Sequence, residues 1–327
     1  MWNIAGALLQ YRASAISPGA FILTEVLAAV ALVTAASTHL NFVALPNILP
    51  YVAAVLAVDI LSQCAPQTRI ARTVQTIIHG TLYLVITSLC GVLAAYATQR
   101  LGFPLQDRLF EQMDQAIGVN WLDVVTWVDG HARLHAILKL AYDSMSAQIA
   151  LPVLVLALAD RRFEVRQYLL SFVIALTITI AIAALLPATS PIVLVDRSTF
   201  HVMRFTGATP VDHLMLLREA GPMMMADSLG GIASFPSFHA TVAVLTPLTL
   251  RGNRPVFAAL LVLDAVMLCA TITEGAHYAS DVIAGAGVGF IAYFLAGRVV
   301  GAEVRRSGGV ADVHPVARAP IGTTRAA

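Results

Sequence analysis

The chain has 327 residues, of which 58% are hydrophobic and 12% are charged, and its formal net charge is +1. Soluble domains carry about 25% charged residues, so this composition excludes an ordinary water-soluble fold. The small net charge, without a basic stripe, indicates no nucleic-acid partner. The three cysteines have neither metal-binding nor disulfide spacing, and residues 1–17 lack the pattern of a signal peptide.

Apolar runs along the chain predict membrane-spanning helices, each of which needs about 20 mostly apolar residues. The candidate spans in chain order are 18–39, 48–65, 73–98, 145–159, 167–186, 238–250, 255–273 and 279–299. Their number predicts an all-α polytopic membrane protein with about eight transmembrane helices.

Basic residues orient these spans, because Lys and Arg near membrane ends favour the cytoplasm. With a cytoplasmic N-terminus, the inner side holds Arg12, Arg69, Arg72, Arg161, Arg162, Arg166, Arg251, Arg254, Arg298, Arg305, Arg306, Arg318 and Arg325. The short outer turns near 40–47 and 274–278 have no basic residue. We therefore expect an integral protein of a bacterial inner membrane with both termini in the cytoplasm.

The loops divide the chain into four predicted segments. Residues 1–98 form N-terminal transmembrane helices, and 99–144 an amphipathic segment of one or two helices in the outer interface. Residues 145–300 form the main membrane domain, in which the outer segment 187–237 is irregular with one short helix near 211–220. The tail, 301–327, is rich in Gly, Ala, Arg and Pro and is predicted to be disordered in the cytoplasm.

A first polar motif, GGIASFPSFHA at 230–240, lies where an outer loop enters a span. Pro236 suits the first turn of a helix, and Ser237 and His239 follow in that turn. Free amides at a helix start attract anions, and Gly231 allows backbone to approach a ligand closely. We therefore expect Gly231, Pro236 and Ser237 to contact an anionic group of a bound substrate.

A second motif, TEGAHYASDVIAG at 273–285, enters a span from the same side. His277 and Asp281 are four residues apart and so share a helix face. A carboxylate on one imidazole nitrogen leaves the other free to attack, and His239 can donate a proton to a leaving oxygen. The rival interpretations are a structural pair at a helix start and a metal site, which lacks a third ligand of fitting spacing. We predict no metal and no cofactor.

Together the two motifs resemble the type 2 phosphatidic acid phosphatase superfamily, whose pattern is Lys-x6-Arg-Pro, Pro-Ser-Gly-His and Ser-Arg-x5-His-x3-Asp. Pro236, Ser237 and His239 match the second element, and His277 and Asp281 match the third. The resemblance implies a six-helix core, with His277 as nucleophile and Asp281 as its orienting partner. It also implies that His239 is the general acid, and the count of basic residues places this active site on the outer, periplasmic side.

Several departures from this pattern resemble one branch, the inositol phosphorylceramide and sphingomyelin synthases. Phe238 replaces the glycine of the second element, Thr271 replaces the arginine of the third, and Lys-x6-Arg-Pro does not occur. The strings AYDSM at 141–145 and LPATSP at 186–191 also resemble that branch. A phosphoryl transition state needs positive charge around its oxygens, so a replacement cation is expected. The candidates are Arg197, Arg204 and Arg218, and Arg218 is the first choice.

The predicted function is hydrolysis or transfer of lipid phosphate esters through a phosphohistidine, with the lipid in the bilayer as the partner. The alternatives are inositol-phosphate or head-group transfer and, in another class, a non-catalytic transport or scaffold protein. Lipid identity and oligomeric state stay open. His131 and His135 are interpreted as polar-boundary residues, and Asp143 either caps a helix or orients a site group. Ionisable residues inside spans fit either a proton path or packing: Glu25, Asp59, His79 and Asp264.

Overall fold

The computed structural model describes residues 16–40, 68–203, 205–218 and 231–306, with isolated positions at 53 and 57. Within these ranges the chain is helical and contains no strand, which confirms the predicted all-α class. In chain order the helices are α1 (Pro18–Ser37), α2 (Arg69–Gln99), α3 (Asp107–Ala116), α4 (Trp121–Asp129), α5 (Ala132–Asp143), α6 (Met145–Leu158), α7 (Arg162–Leu185), α8 (Ala208–Arg218), α9 (Phe238–Leu250), α10 (Arg254–Thr273) and α11 (Ala279–Arg306).

Five helices of the described chain are long and apolar enough to cross a membrane, namely α1, α2, α7, α10 and α11. Helices α5 and α6 pass the same test together and are bent by 46° at their junction, which makes a sixth candidate span. Helix α9 is apolar but has only 13 residues. The predicted span at 48–65 lies outside the described residues, apart from positions 53 and 57, as does the tail beyond 306.

The segment 99–144 contains three helices, where the sequence predicted one or two. Local chemistry explains the breaks. Gly118 follows α3 with a φ of 78°, a left-handed conformation that glycine adopts without strain. Asn120 then caps α4, because its side-chain oxygen accepts the amide of Leu122 at 3.1 Å. These two residues stop one helix and start the next within a short stretch.

Helix α9 lies at the centre of the bundle and contacts α6, α7, α10 and α11. Small residues allow its close approach to α11: a Cβ on Gly285 would collide with the carbonyl of Ser237, and one on Gly289 would lie 2.8 Å from that of Thr241. The Thr241 hydroxyl donates to the Gly285 carbonyl at 2.9 Å. The two helices that carry the polar motifs are therefore packed directly against each other.

The helix directions create two distinct ends of this bundle. The histidine end holds the start of α9, the end of α10 and the start of α11, at residues 231–239 and 274–281. The arginine end holds the turns at 158–163 and 250–255 and the last turns of α11, at residues 297–306. Because a helix rises about 1.5 Å per residue, α9 alone separates the two ends by about 20 Å.

Candidate active site

His277 and Asp281 form a hydrogen-bonded pair at the histidine end. Nδ1 of His277 lies 3.1 Å from Oδ2 of Asp281, whose side chain is fully buried in the first turn of α11. The same oxygen accepts the Ser234 hydroxyl at 3.0 Å and the Tyr278 amide at 3.1 Å. A carboxylate held in this way favours the proton on Nδ1 and leaves Nε2 of His277 with a free electron pair.

His239 lies in the first turn of α9 and borders the same cavity as His277. Its ring stacks on Tyr142, with centroids 3.9 Å apart and planes inclined by 14°. The backbone joins the two motifs, because the Ser237 amide donates to the Asp281 carbonyl at 3.0 Å. The structure therefore brings together the two histidines and the carboxylate that the sequence singled out.

The cavity between these groups has a volume of about 400 Å³. Five stretches contribute to its lining: 142–146, 189–190, 206–211, 231–239 and 275–277. Among the described residues that line it, there is no lysine or arginine. Phe238 and His239, in the first turn of α9, line the cavity, so a helix start lies beside this space. The dipole of a helix start favours anions.

The other predicted site residues are divided between the cavity and its surroundings. Gly231 lines the cavity, whereas Pro236 and Ser237 do not. Ser237 is the N-cap of α9, and its side chain accepts the Ala240 amide. Arg218, at the end of α8, donates from Nη2 to the Phe103 carbonyl and is not among the lining residues.

The two other candidate cations are Arg197 and Arg204. Arg197 forms a bidentate ion pair with Asp212, at 3.0 and 2.8 Å, on the protein surface. Arg204 lies outside the described residues. The origin of positive charge at the cavity therefore stays a prediction.

Helix α3, which belongs to neither of the two motifs, binds the start of α11. The buried Asp114 accepts the amides of Ala279 and Ser280 at 2.7 and 2.8 Å, one on each carboxylate oxygen. It thereby satisfies two of the free amides at the start of α11, as a capping residue does. The negative charge also lies where the dipole of α11 is positive.

Asp107, two turns of α3 earlier, holds a second wall of the cavity. Its carboxylate accepts the amides of Thr189 and Ser190, both at 3.0 Å, and the Tyr278 hydroxyl at 3.3 Å. Between the two acids, Phe110 stacks on Phe235 with centroids 4.2 Å apart. The contacts of α3 with the start of α11 and with the cavity wall were not predicted from the sequence. The available signal was the spacing of 107, 110 and 114, which places all three on one helix face.

Glu274 is a buried acid beside the cavity that the motif search did not single out. Its Oε1 lies 3.3 Å from Nε2 of His135, a residue interpreted from sequence as a polar-boundary histidine. Burial raises the pKa of Glu274 to about 7, the positive charge of Lys139 lowers it, and Asp143 raises it further. Asp143 itself pairs with Lys139 at 2.6 Å and also borders the cavity.

The backbone around His277 is tightly constrained. Ala276 has a φ of 53° and Ser190 a φ of 147°, both unusual for residues with a side chain. The Ser190 hydroxyl donates to the Ala276 carbonyl, so the two unusual residues hold each other. A Cβ on Gly275 would lie 2.7 Å from Cδ2 of His277 and 3.0 Å from Tyr142. Backbone strain of this kind concentrates at functional sites, where surrounding contacts maintain it.

Comparison with known proteins gives one match. A family model described as the PAP2 superfamily matches residues 108–295, which is more than half of the chain and includes both motifs. The match begins within α3, so it includes most of the segment predicted as interfacial. No curated protein and no solved structure matches the chain significantly.

Proposed function

This chain belongs to the PAP2 superfamily, and we propose that it cleaves phosphate esters of membrane lipids through a phosphohistidine at His277. The observation that carries the proposal is the shared cavity of His277 and His239, with Asp281 hydrogen-bonded 3.1 Å behind His277. Membership of the family and the apolar helices support a membrane phosphoesterase.

In the first step, Nε2 of His277 attacks phosphorus and forms a P–N bond while the P–O bond to the lipid alcohol breaks. Binding of the phosphate anion beside His239 favours the protonated form of its ring, and this proton goes to the departing oxygen, so the lipid leaves as an alcohol. Asp281 stabilises the positive charge that His277 acquires, because its carboxylate stays bound to Nδ1. The amides at the start of α9 stabilise the phosphoryl oxygens.

In the second step, water attacks the phosphorus of the phosphohistidine. Neutral His239 takes one proton from this water, the P–N bond breaks, and inorganic phosphate leaves. His277 and His239 return to their starting states, so the cycle consumes one water molecule for each ester. The stacking of Tyr142 on His239 supports this assignment, because it fixes the ring plane in the cavity.

We retain Arg218 as the proposed cation for the phosphate group. Its Nη1 is buried and has no hydrogen-bond partner, while Nη2 donates to the Phe103 carbonyl. An unpaired guanidinium nitrogen can turn towards an anion at little cost in existing contacts. In the same way, we propose that Gly231, Pro236 and Ser237 shape the phosphate-binding turn, Gly231 at the cavity surface and the other two through the start of α9.

We further propose that the histidine end faces the periplasm of a bacterial inner membrane. The support is the distribution of charge: the arginine end holds Arg161, Arg251, Arg254, Arg298 and Arg305, as expected of a cytoplasmic side. The catalytic unit was expected at 145–300. Contacts from Asp107, Asp114 and Tyr142 favour including α3 to α5 in that unit.

Transfer of a phosphorylated head group to an alcohol is a second candidate function. A specific observation favours it: two of the three stretches that resemble the phosphotransferase branch, 141–145 and 186–191, contribute residues to the cavity lining. The third, the arginine-rich turn at 161–166, does not. Tyr142, Asp143 and Met145 come from the first stretch, and Thr189 and Ser190 from the second. With a phosphodiester lipid as the donor in the first step and an alcohol in place of water in the second, the same residues would give this reaction.

The test has two arms with purified protein: turnover of a short-chain phosphatidic acid, read as inorganic phosphate, and turnover of phosphatidylinositol with a short-chain ceramide as acceptor, read as product mass. We expect phosphate release in the first arm, and a loss of at least about 10⁴-fold in His277→Ala. His201→Ala, at an exposed histidine outside the cavity, is the matched control and keeps normal turnover. Full activity of His277→Ala would exclude the mechanism, and a ceramide product that carries the inositol phosphate in the second arm would assign the second candidate. Unchanged activity of Arg218→Ala would exclude Arg218.

A further inference from the structure

A second and larger cavity lies at the arginine end. It has a volume of about 930 Å³ and is formed by the turns at 158–163 and 250–255, with Gln167 and Tyr293 at its inner wall. An adjoining cavity of about 380 Å³ shares Gln167, Arg251 and Tyr293 with it. The length of α9 separates this space from the catalytic histidines, so the proposed chemistry makes no use of it.

Arginines dominate the charged lining of this second cavity. Arg161, Arg251 and Arg254 line it, and Arg298 and Arg305 line the adjoining space. Glu164 is the one acid among the described lining residues, and it is already bonded to Arg161. Arg251 lies over the ring of Tyr293, 5.4 Å from its centroid, and forms no ion pair with any carboxylate of the described chain. The cavity therefore has a strong surplus of positive charge.

One wall of the same cavity is apolar. Val155 and Leu156 from the end of α6 form part of it, and Phe163 and Phe257 complete it. The two helices that contribute Val155 and Phe257 to this wall also carry exposed leucines: Leu154 and Leu158 on α6, and Leu261 on α10. A ligand that fits both parts has an anionic head and an apolar chain. A free phosphate compound would leave the apolar wall uncovered.

The preference of arginine for the cytoplasmic side of a membrane protein does not require several arginines to border one cavity. Here three of them border a cavity, and the Arg251 guanidinium is held over an aromatic ring that reduces its freedom before any ligand binds. Guanidinium groups bind phosphate oxygens through paired hydrogen bonds. A phosphate diester on a lipid head group satisfies this requirement, and its chains extend along the leucines.

We propose that the arginine-end cavity binds the head group of an anionic phospholipid from the leaflet opposite to the catalytic cavity. Arg251 and Arg254 contact the phosphate, and the wall of Val155, Phe163 and Phe257 contacts the upper part of the acyl chains. This lipid is a ligand and not a substrate, because no histidine of the described chain lines the space. The inference is independent of the reaction proposed for the histidine end.

The test is photolabelling of the full chain in nanodiscs by a phosphatidylglycerol analogue with a diazirine close to its head group. We expect labelled peptides from 155–167 and 249–257, distinct from any labelled at the catalytic cavity. In Arg251→Gln/Arg254→Gln, labelling of these peptides falls about thirtyfold, because each cation near a lipid head group contributes about a fivefold factor. Arg306→Gln, at an exposed arginine on the last turn of α11 outside the cavity lining, is the matched control and keeps normal labelling.

A competition experiment on the wild-type protein, in which unlabelled lipids compete with the photolabel, does not depend on the folding of any variant. Unlabelled phosphatidylglycerol should suppress the labelling, whereas phosphatidylcholine and free glycerol phosphate at equal concentration should not. Suppression by glycerol phosphate would overturn the proposal in favour of a soluble phosphate ligand, and equal suppression by phosphatidylcholine would exclude selection of anionic lipids. Full labelling of the glutamine variant would exclude the arginines as the binding groups.

Discussion

The two ends of the bundle have cavities of opposite chemical character. At the histidine end, the described lining has two histidines, several hydroxyl groups and no arginine. At the arginine end, the lining has three arginines and no histidine. Both cavities lie between the same helices, α9 and its neighbours, so the difference comes from the residues at the helix ends and not from the packing of the bundle.

The largest cluster of positive charge and the histidine motifs therefore lie at different ends of the bundle. A cluster of arginines would by itself point to the arginine end as the active site, whereas we propose the histidine end. The histidine end is distinguished by buried, hydrogen-bonded groups that control proton positions, such as the pair of His277 and Asp281. Charge holds a phosphate, whereas a positioned base and acid are needed to break its ester.

After His277→Ala, removal of the proposed general acid has the largest expected effect at the histidine end. In His239→Ala, turnover of an alkyl phosphate should fall by about 10³-fold, because an alkoxide leaves slowly without a proton. With p-nitrophenyl phosphate the first step should survive, because nitrophenolate needs no proton. We expect a burst of nitrophenol followed by slow turnover, measured by stopped-flow absorbance. Equal losses with the two substrates would contradict the role of His239 as an acid.

Loosening α3 should have an intermediate effect. Asp114→Asn keeps the size of the side chain but removes the charge and one of the two acceptors for the amides of Ala279 and Ser280. We expect kcat to fall by about tenfold with little change in KM, because His277 and Asp281 lose alignment while the cavity remains. Steady-state kinetics measures both constants.

The matched control for Asp114 is Glu111→Gln, an exposed acid on the same helix. It should leave both constants unchanged. A rise in KM without a fall in kcat for Asp114→Asn would show that α3 acts on substrate binding instead. Binding of phosphatidylglycerol at the arginine end should be normal in both variants, which keeps the two cavities independent.

The sequence predicted those parts of the site that depend on local spacing. His277 and Asp281 share one helix start, so their contact follows from helical geometry. The all-α class and most spans follow from hydropathy, because a membrane helix satisfies its backbone hydrogen bonds internally. The meeting of the two motifs at one end followed from counting spans and basic loops.

Other contacts could not be predicted from the sequence, because they join residues that are far apart along the chain and follow no repeating pattern. Asp114 binds amides 165 residues away along the chain, and no periodicity announces that pairing. Glu274 and His135 meet only because α5 packs against α10. Ser237 shows a different difficulty. A serine at a helix start can cap the helix or bind a ligand, and the residue type alone does not distinguish these two roles.

The smallest predicted effect concerns stability at the histidine end. The pKa of Glu274 is raised to about 7, mainly by burial, so the folded chain keeps this proton at pH values where the unfolded chain has lost it. Stability should therefore fall as pH rises from about 4.5 to 7. Glu274→Gln cannot lose a proton, so between pH 5 and 8 its Tm should fall by about 4 °C less than that of wild type.

Thermal unfolding in detergent, followed by tryptophan fluorescence, measures this difference. His135, Lys139 and Asp143 surround Glu274 and are present in both proteins, so their own titration largely cancels in the comparison. Asp123→Asn, at an exposed acid on α4, should follow the wild-type curve. Parallel curves for wild type and Glu274→Gln would mean that Glu274 is ionised in the folded protein and that His135 is its charged partner. In that case the histidine end would hold a buried ion pair. The two ends would then differ because charge is balanced at the histidine end and in positive excess at the arginine end.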